Sequence, residues 1–470
     1  MKGHNKRISY YRREDRLSML PDCILIEILS FLPLKSAIVT SALSNRYRNL
    51  WPEITSLDID FSEIKNPQIK NPIAIVDESF NKLTSTSIFR LRLCLCDLFD
   101  RKGVAPNSSR RNQFMINLWF QQICARNVKE IKVSSRELCY FKPYVLPQYV
   151  YQTRSLVELE IDRSINLGYR WDDDEINLPN LKKLKIYRSM YSLKRLEKFI
   201  NSCPSLEDFY LEIDLTRDIE LSVVNLSVRN LKSLVLLLYG IHHTCKVMIE
   251  SPILEYFTVA GPNNHMLGFS FEEIPIKLVE TRMSMINSWK ADQMLPLLKF
   301  LREICHVRFL ELDSVPFKPL KTFPNLGRLT LGFSTCDFRR LIIFLGFCPA
   351  LEVLILDMKG TTDDEGLTWV SSGILPKYTR PKKIEIRIGR LKYQRELMKM
   401  VRYFVQNCQA LEQLKFSITE EGHEYEDKLS KQRIERQFCD DLLDLPRSSS
   451  RCEIIFSGNF LKKSSNSWNE

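Results

Sequence analysis

One spacing recurs through this chain more than any other: an apolar residue, two others, a second apolar residue, one other, a third. It occurs at Leu156/Leu159/Ile161, Leu181/Leu184/Ile186, Leu206/Phe209/Leu211 and Leu231/Leu234/Leu236, each copy 25 residues after the last. Further copies sit at Leu254/Phe257/Val259, Val307/Leu310/Leu312, Leu326/Leu329/Leu331, Leu351/Leu354/Leu356 and Leu411/Leu414/Phe416. A poor copy lies near Leu278, and weaker early ones at Ile54/Leu57/Ile59, Ile88/Leu91/Leu93 and Val128/Ile131/Val133. Successive side chains of an extended chain point to opposite faces, so the end of each motif turns two side chains inward and one outward. A strand that short cannot bury its own leucines, but stacked neighbours can. Self-similarity at this period therefore predicts a solenoid.

Helix-period segments separate the strands. Ser192 is predicted to cap a helix with Leu193, Leu196, Phe199 and Ile200 inward, and Asp337 one with Phe338, Leu341, Ile342 and Leu345 inward. A third, Tyr393 to Asn407, places Leu397, Met400, Val401 and Phe404 on one face. Strand and helix alternating at this period are the signature of leucine-rich repeats, so the fold class is α/β: a curved solenoid of parallel strands and helices. The outward strand residues stack in two columns, Glu160, Lys185, Tyr210, Val235, Thr258 and Asp162, Tyr187, Glu212, Leu237, Ala260. Lys185, Tyr187, Tyr210, Glu212, Val235 and Leu237 are the candidate target-binding residues of the concave face. Tyrosines beside outward valine and leucine have the composition of an interface hot spot. A register slip of one residue would exchange this set for the core.

The repeat also explains the cysteines. "CPSLEDFYLEID" from Cys203 returns as "CPALEVLILDMK" from Cys348 and, more loosely, as "CQALEQLKFSIT" from Cys408. Each cysteine stands where a helix ends and the chain turns into the next strand. Six stacked strands at ~4.8 Å separate the first two by about 29 Å, whereas zinc needs sulfurs within ~2.3 Å. These thiols are packing residues. Cys94 and Cys96 alternate onto one strand face, but no second pair has metal spacing, and His242–His243 has no partner cluster. The acidic runs at Asp172 to Glu175 and Asp363 to Glu365 lack calcium-loop spacing and are expected as solvated loops. No glycine-rich phosphate loop, nucleophile elbow or H-E-x-x-H helix is present, so no catalytic residue, cofactor or metal is expected.

The net charge of +11 is dilute apart from Lys2, Lys6, Arg7, Arg12, Arg13 and Arg16 at the start, which reads as a solvated basic tail. A nucleic-acid stripe would be more clustered, and such a binder would show a steep salt dependence. No apolar run approaches the ~18 residues of a membrane span. The interrupted apolar stretch after the basic start does not read as a signal peptide, and 13 cysteines, an odd number, are expected as reduced thiols in the cytoplasm or nucleus.

Residues 15–51 form a different unit. Pro21 and Asp22 open a helix carrying Ile24, Leu25, Ile26, Ile28 and Leu29, too many apolar residues for one stripe facing one core. Pro33 stops it, Lys35 to Ala42 forms a second short helix, and Ser44 caps a third toward Trp51. Three helices this short make a poor independent core, and their surplus apolar surface points either to a partner or to a cap on the solenoid end. The stretch "LPDCILIEILSFLPLKSAIVTSALSNRYRNLW", with its leucine-proline start and its Thr-Ser-x-Leu-Ser-x-Arg run, resembles the plant F-box. The resemblance implies docking to the small adaptor subunit of a cullin-based ubiquitin ligase, through Leu20, Pro21, Ile24, Ile28, Leu32, Val39, Leu43 and Tyr47. Tyr47 stands where the family usually has tryptophan and Asn45 where it usually has lysine; both departures bear on docking strength.

Toward the other end, "RPKKIEIRIGRLKYQRELMKMVRYFVQNCQALEQLKFSI" followed by "RQFCDDLLDLPRSSSRCEIIF" resembles the FBD module of plant F-box proteins with leucine-rich repeats. The charged stretch "TEEGHEYEDKLSKQR" between them is expected as an exposed loop or helix start. The implied order is a basic tail 1–14, F-box 15–60, repeats 61–375, FBD-like module 376–457 and flexible tail 458–470. The expectation is a non-catalytic substrate-recognition subunit, with the adaptor, through it a cullin, and an unknown target protein as partners. The alternative is a repeat scaffold without a ligase role.

Overall fold

The computed structural model describes residues 17–64, 71–96, 98, 106–135, 144–162, 165–167, 176–189, 193–214, 223–239, 245–262, 267–286, 294–313, 315, 321–332, 338–358, 381–389, 391, 394–418 and 428–465. The basic start, the acidic runs 172–175 and 363–365, His242–His243, the cap positions Ser192 and Asp337, Tyr393 and the charged stretch up to 427 lie outside them. The chain falls into two compact units, Met1–Leu181 and Lys182–Glu470.

The first unit opens with three short helices, α1 (Asp22–Ser30), α2 (Leu34–Val39) and α3 (Asn45–Leu50). Prolines set their starts: Pro21 and Pro33 immediately precede α1 and α2, where a fixed φ is compatible with helix entry. Ser44 caps α3 by accepting from the Tyr47 N–H, as its position predicts. Leu25, Leu29, Leu34, Ala37, Tyr47, Leu50, Trp51 and Ile54 fill the centre of this unit. Then follow β1 (Ser56–Asp60), α4 (Phe61–Ile64), α5 (Pro72–Lys82), β2 (Arg90–Cys94), α6 (Pro106–Cys124), β3 (Glu130–Ser134), β4 (Tyr144–Val145), α7 (Gln148–Tyr151), β5 (Glu158–Ile161) and β6 (Ile165–Asn166). Parallel pairing aligns Leu57 with Leu91, Leu91 with Ile131 and Ile131 with Leu159. These are the second positions of the weak early motifs and the first strong one. Phe61 and Phe80 stack with Trp119 behind the strands, and the indole N–H donates to Asp77 at 3.0 Å.

The second unit runs β7 (Lys183–Ser189), α8 (Leu193–Asn201), β8 (Asp208–Asp214), β9 (Val223–Ser227), β10 (Ser233–Tyr239), β11 (Cys245–Glu250), β12 (Tyr256–Pro262), β13 (Leu267–Phe271), β14 (Glu280–Ile286), α9 (Met294–Glu303), β15 (Phe309–Leu312), β16 (Arg328–Gly332) and α10 (Phe338–Leu345). It ends with β17 (Val353–Met358), β18 (Lys383–Ile388), α11 (Gln394–Asn407), β19 (Gln413–Ile418), α12 (Lys428–Leu443), β20 (Glu453–Ser457) and β21 (Lys462–Ser464). One ladder of partners, Leu184, Phe209, Leu234, Phe257, Thr281, Leu310, Leu329, Leu354, Ile384, Leu414 and Ile454, crosses the parallel sheet. Every member is buried. Thr281 marks the poor copy near Leu278.

Helices α10 and α11 bury the faces their periodicity predicts, and α8 buries Leu196, Phe199 and Ile200; the Leu193 side chain lies outside the described residues. β9, β11 and β13 form a second parallel sheet where a helix is expected. Their residues alternate, as in "VVNLS", and the inward Val224, Leu226, Val247, Ile249, Phe269 and Phe271 are buried. A period of two suits a strand, not a helix. Phe257 of the main sheet meets Phe269 and Phe271 of the second sheet and Phe300 of α9 at ring distances of 5.6, 6.2 and 5.7 Å.

β18, β19 and β20 continue the same sheet, so the segment resembling an FBD module adds further turns to it. Residues 458–465, expected as the start of a flexible tail, instead include β21, which pairs antiparallel with β20. The reason is a buried carboxylate: Glu435 of α12 accepts from the N–H groups of Phe460 and Leu461 at 3.0 and 2.9 Å. A short antiparallel strand there blunts the open edge of the sheet.

Candidate functional site

Two surfaces answer to the sequence-based expectations, one in each unit. On α1, Leu25 and Leu29 point inward while Ile24 and Ile28, one helical turn apart, are exposed. The surplus of apolar residues therefore splits between a core stripe and an outer stripe. Pro21 is exposed, Leu20 and Leu32 are half-buried, and Val39 and Leu43 are 63% and 73% exposed. The same unit also exposes Leu17, Met19 and Phe31, which sequence reasoning missed; a heptad-style count of α1 that extended through Phe31 would have flagged it.

Tyr47 corrects the expected docking set. It is only 7% exposed and belongs to the core of the helical unit with Leu50 and Trp51. Its ring is turned into the helical unit and away from solvent. Arg46, one residue earlier, has the role that sequence reasoning did not assign. Its Nε donates to Asp22 at 2.7 Å, and its terminal nitrogens donate to the carbonyls of Ser18 and Leu20. One guanidinium thus ties the Leu20–Pro21 entry segment to α3, using the fork geometry that lysine lacks.

The second surface is the outward face of β7, β8, β10 and β12. Lys185 pairs with Tyr210, Tyr210 with Val235, and Val235 with Thr258. Glu212 pairs with Leu237 and Leu237 with Ala260. All six candidate residues are half-buried, and the described residues flanking them in sequence are buried, so the inside–outside alternation agrees with the columns read from the sequence. Tyr187 departs from its column. A register shift between Ile186 and Ser189 removes it from regular pairing opposite Glu212. Its ring instead lies 4.9 Å from that of Tyr210, tilted by 43°. Partial burial first, then Glu212, Tyr187 and Tyr239, push the Tyr210 hydroxyl up to about 12, so it stays a neutral donor at ordinary pH.

The repeated cysteines sit in neither surface. Cys203 and Cys348 are buried at helix ends, and their thiols donate to the carbonyls of Phe199 and Phe344 at 3.4 and 3.5 Å. Burial pushes Cys203, Cys348 and Cys408 up to about 12. Among the described residues no group of three or more His, Cys, Asp or Glu could hold a metal, and no helix is long and apolar enough to cross a membrane.

A leucine-rich-repeat protein with an N-terminal F-box unit is the class that this fold and these surfaces define. A family model described as the F-box domain matches residues 17–54. Another, described as FBD-associated F-box protein At5g56370, LRR repeats, matches residues 116–274. The chain is similar to the F-box/FBD/LRR-repeat protein At5g22660 of Arabidopsis thaliana, 27% identical over 94% of this chain and 96% of that one. It is 28% identical to the F-box/FBD/LRR-repeat protein At5g22700 of the same plant, over 84% of this chain and 90% of that one. The F-box/LRR-repeat protein 13 of Arabidopsis thaliana is 26% identical over 94% and 96%. Over most of its length the chain is thus similar to plant F-box/FBD/LRR-repeat proteins, and it carries matches to the F-box and to FBD-associated leucine-rich repeats.

Proposed function

We propose that this chain is the target-recognition subunit of a cullin-based ubiquitin ligase, with no active site of its own. The observation that carries the reading is the exposure of Ile24, Ile28, Phe31, Val39 and Leu43 on a helical unit whose core is already filled. Exposed apolar surface gathered on so small a unit is partner surface. The partner it suits is the small adaptor subunit of the ligase, which in turn reaches a cullin. The outward face around Tyr187, Tyr210, Val235 and Leu237 then holds a target protein. Holding is the whole contribution: a target lysine kept near the charged ubiquitin carrier reacts as if at high effective concentration. The reading carries with it a cytoplasmic or nuclear location, which imaging of a fluorescent fusion tests.

The deciding measurement is calorimetric titration of the purified full-length chain with the adaptor subunit. Val39→Ala with Leu43→Ala is expected to weaken binding by about 2–4 kcal/mol while leaving the melting temperature unchanged, since truncating exposed anchors removes contacts without opening a cavity. These two positions are cleaner probes than Leu20 and Pro21, whose segment Arg46 holds in place. Absence of binding by the wild-type chain would overturn the ligase reading in favour of a repeat scaffold.

A further inference from the structure

The sequence singles out Cys94 and Cys96, and neither proposed surface uses them. Their sulfurs lie 3.1 Å apart in the first unit. Cys94 is the last residue of β2, paired with Asp60 on one side and Ser134 on the other. Regular strand geometry would put same-face neighbours about 6.6 Å apart at Cα, at the upper edge of what a disulfide spans. The strand ends at Cys94 and the chain turns at Cys96, which brings the two thiols together. Leu95, between them, donates its N–H to Ser134 O at 2.8 Å, so this turn is anchored to β3. Cys94 is half-buried and Cys96 buried, so one sulfur is open to a reagent and the other waits behind it. The fully buried thiols at the helix ends have no such access.

We propose that Cys94 and Cys96 form a dithiol modification site, oxidised by hydrogen peroxide to an intramolecular disulfide and bridged by thiophilic reagents that need two sulfurs. Cys94 is the attacking sulfur. It displaces one peroxide oxygen as water and becomes a sulfenic acid. Cys96 then attacks that sulfur, and the hydroxyl leaves as a second water. Two thiols surrender two electrons and two protons, the peroxide O–O bond takes them up, and one S–S bond forms. The sulfurs need to close by only about 1 Å to reach bonding distance. A ring closed across a single residue is strained, which makes the disulfide readily reducible and the modification reversible.

The test uses the full-length protein treated with peroxide, quenched with N-ethylmaleimide in denaturant, digested with trypsin and weighed. Residues 93–101, "LCLCDLFDR", form one tryptic peptide containing both cysteines. The expected product is this peptide two hydrogens lighter and unalkylated, restored to two alkylated thiols by dithiothreitol before quenching. In a second arm, phenylarsine oxide, which bridges thiol pairs, protects both cysteines from alkylation in the wild type. Cys94→Ser, a change at the more open position, abolishes both the light peptide and the protection. The proposal falls if both cysteines are alkylated under conditions that oxidise the exposed Cys23. It falls equally if Cys94 is recovered joined to any other cysteine, or if the arsenical protects neither thiol.

Discussion

Tyr187 and Tyr210 stand out of the sheet side by side, and their rings touch. Replacing either by alanine is expected to weaken target binding by about 1–3 kcal/mol, as loss of an aromatic anchor does. A double-mutant cycle on stability should show a coupling of about 0.5–1.5 kcal/mol from the ring pair and little beyond it. A large loss of thermal stability in both single variants would mean that the face is covered. Cys203 makes the opposite case, a reactive residue type with an inert role. Cys203→Ser should destabilise by about 1 kcal/mol, because a hydroxyl enters a buried, largely apolar site beside the Phe199 carbonyl. Chemical denaturation measures it; zinc bound stoichiometrically by the wild type and lost in the variant would refute the packing account.

At the scale of elements, the decisive contacts are few and specific. Glu435 holds the 457–462 turn with two backbone hydrogen bonds, and a Cβ on Gly458 would stand 1.9 Å from its Oε1. Glu435→Ala leaves two donors without their acceptor and should cost about 2–4 kcal/mol. Gly458→Ala should approach that loss by displacing the carboxylate, and the double variant should be little worse than either single one, since both break the same latch. Urea midpoints test this; additive losses would show that the two residues act separately. A frayed β21 would leave the β20 edge open, so these variants should also aggregate more readily.

The whole molecule separates its two proposed interactions by placing them in different units. Val39→Ala with Leu43→Ala should leave target binding unchanged, and Tyr187→Ala with Tyr210→Ala should leave adaptor binding unchanged. Measuring both affinities for both double variants checks this, and a cross-effect above about 0.5 kcal/mol would contradict independence. In cells, either double variant is expected to let the target accumulate, for different reasons.

The sequence by itself determined where the strands of the repeated motif lie, which of their residues face inward, and how α8, α10 and α11 orient. These depend on side-chain period, a local property repeated in every copy. It likewise placed the three N-terminal helices, through Pro21, Pro33 and Ser44, whose effects reach no further than one turn. Tertiary packing decided what local pattern leaves open. Leu25 and Ile24 are equally apolar, and only the helices packed against α1 choose which is buried. Tyr47 is a large ring at a position expected to dock, and only its neighbours in the helical unit turn it inward. β9, β11 and β13 became strands because a second sheet was there to complete their hydrogen bonds. The turn at Cys96, the latch at Glu435 and the register shift beside Tyr187 arise the same way, from contacts between residues that local sequence does not relate.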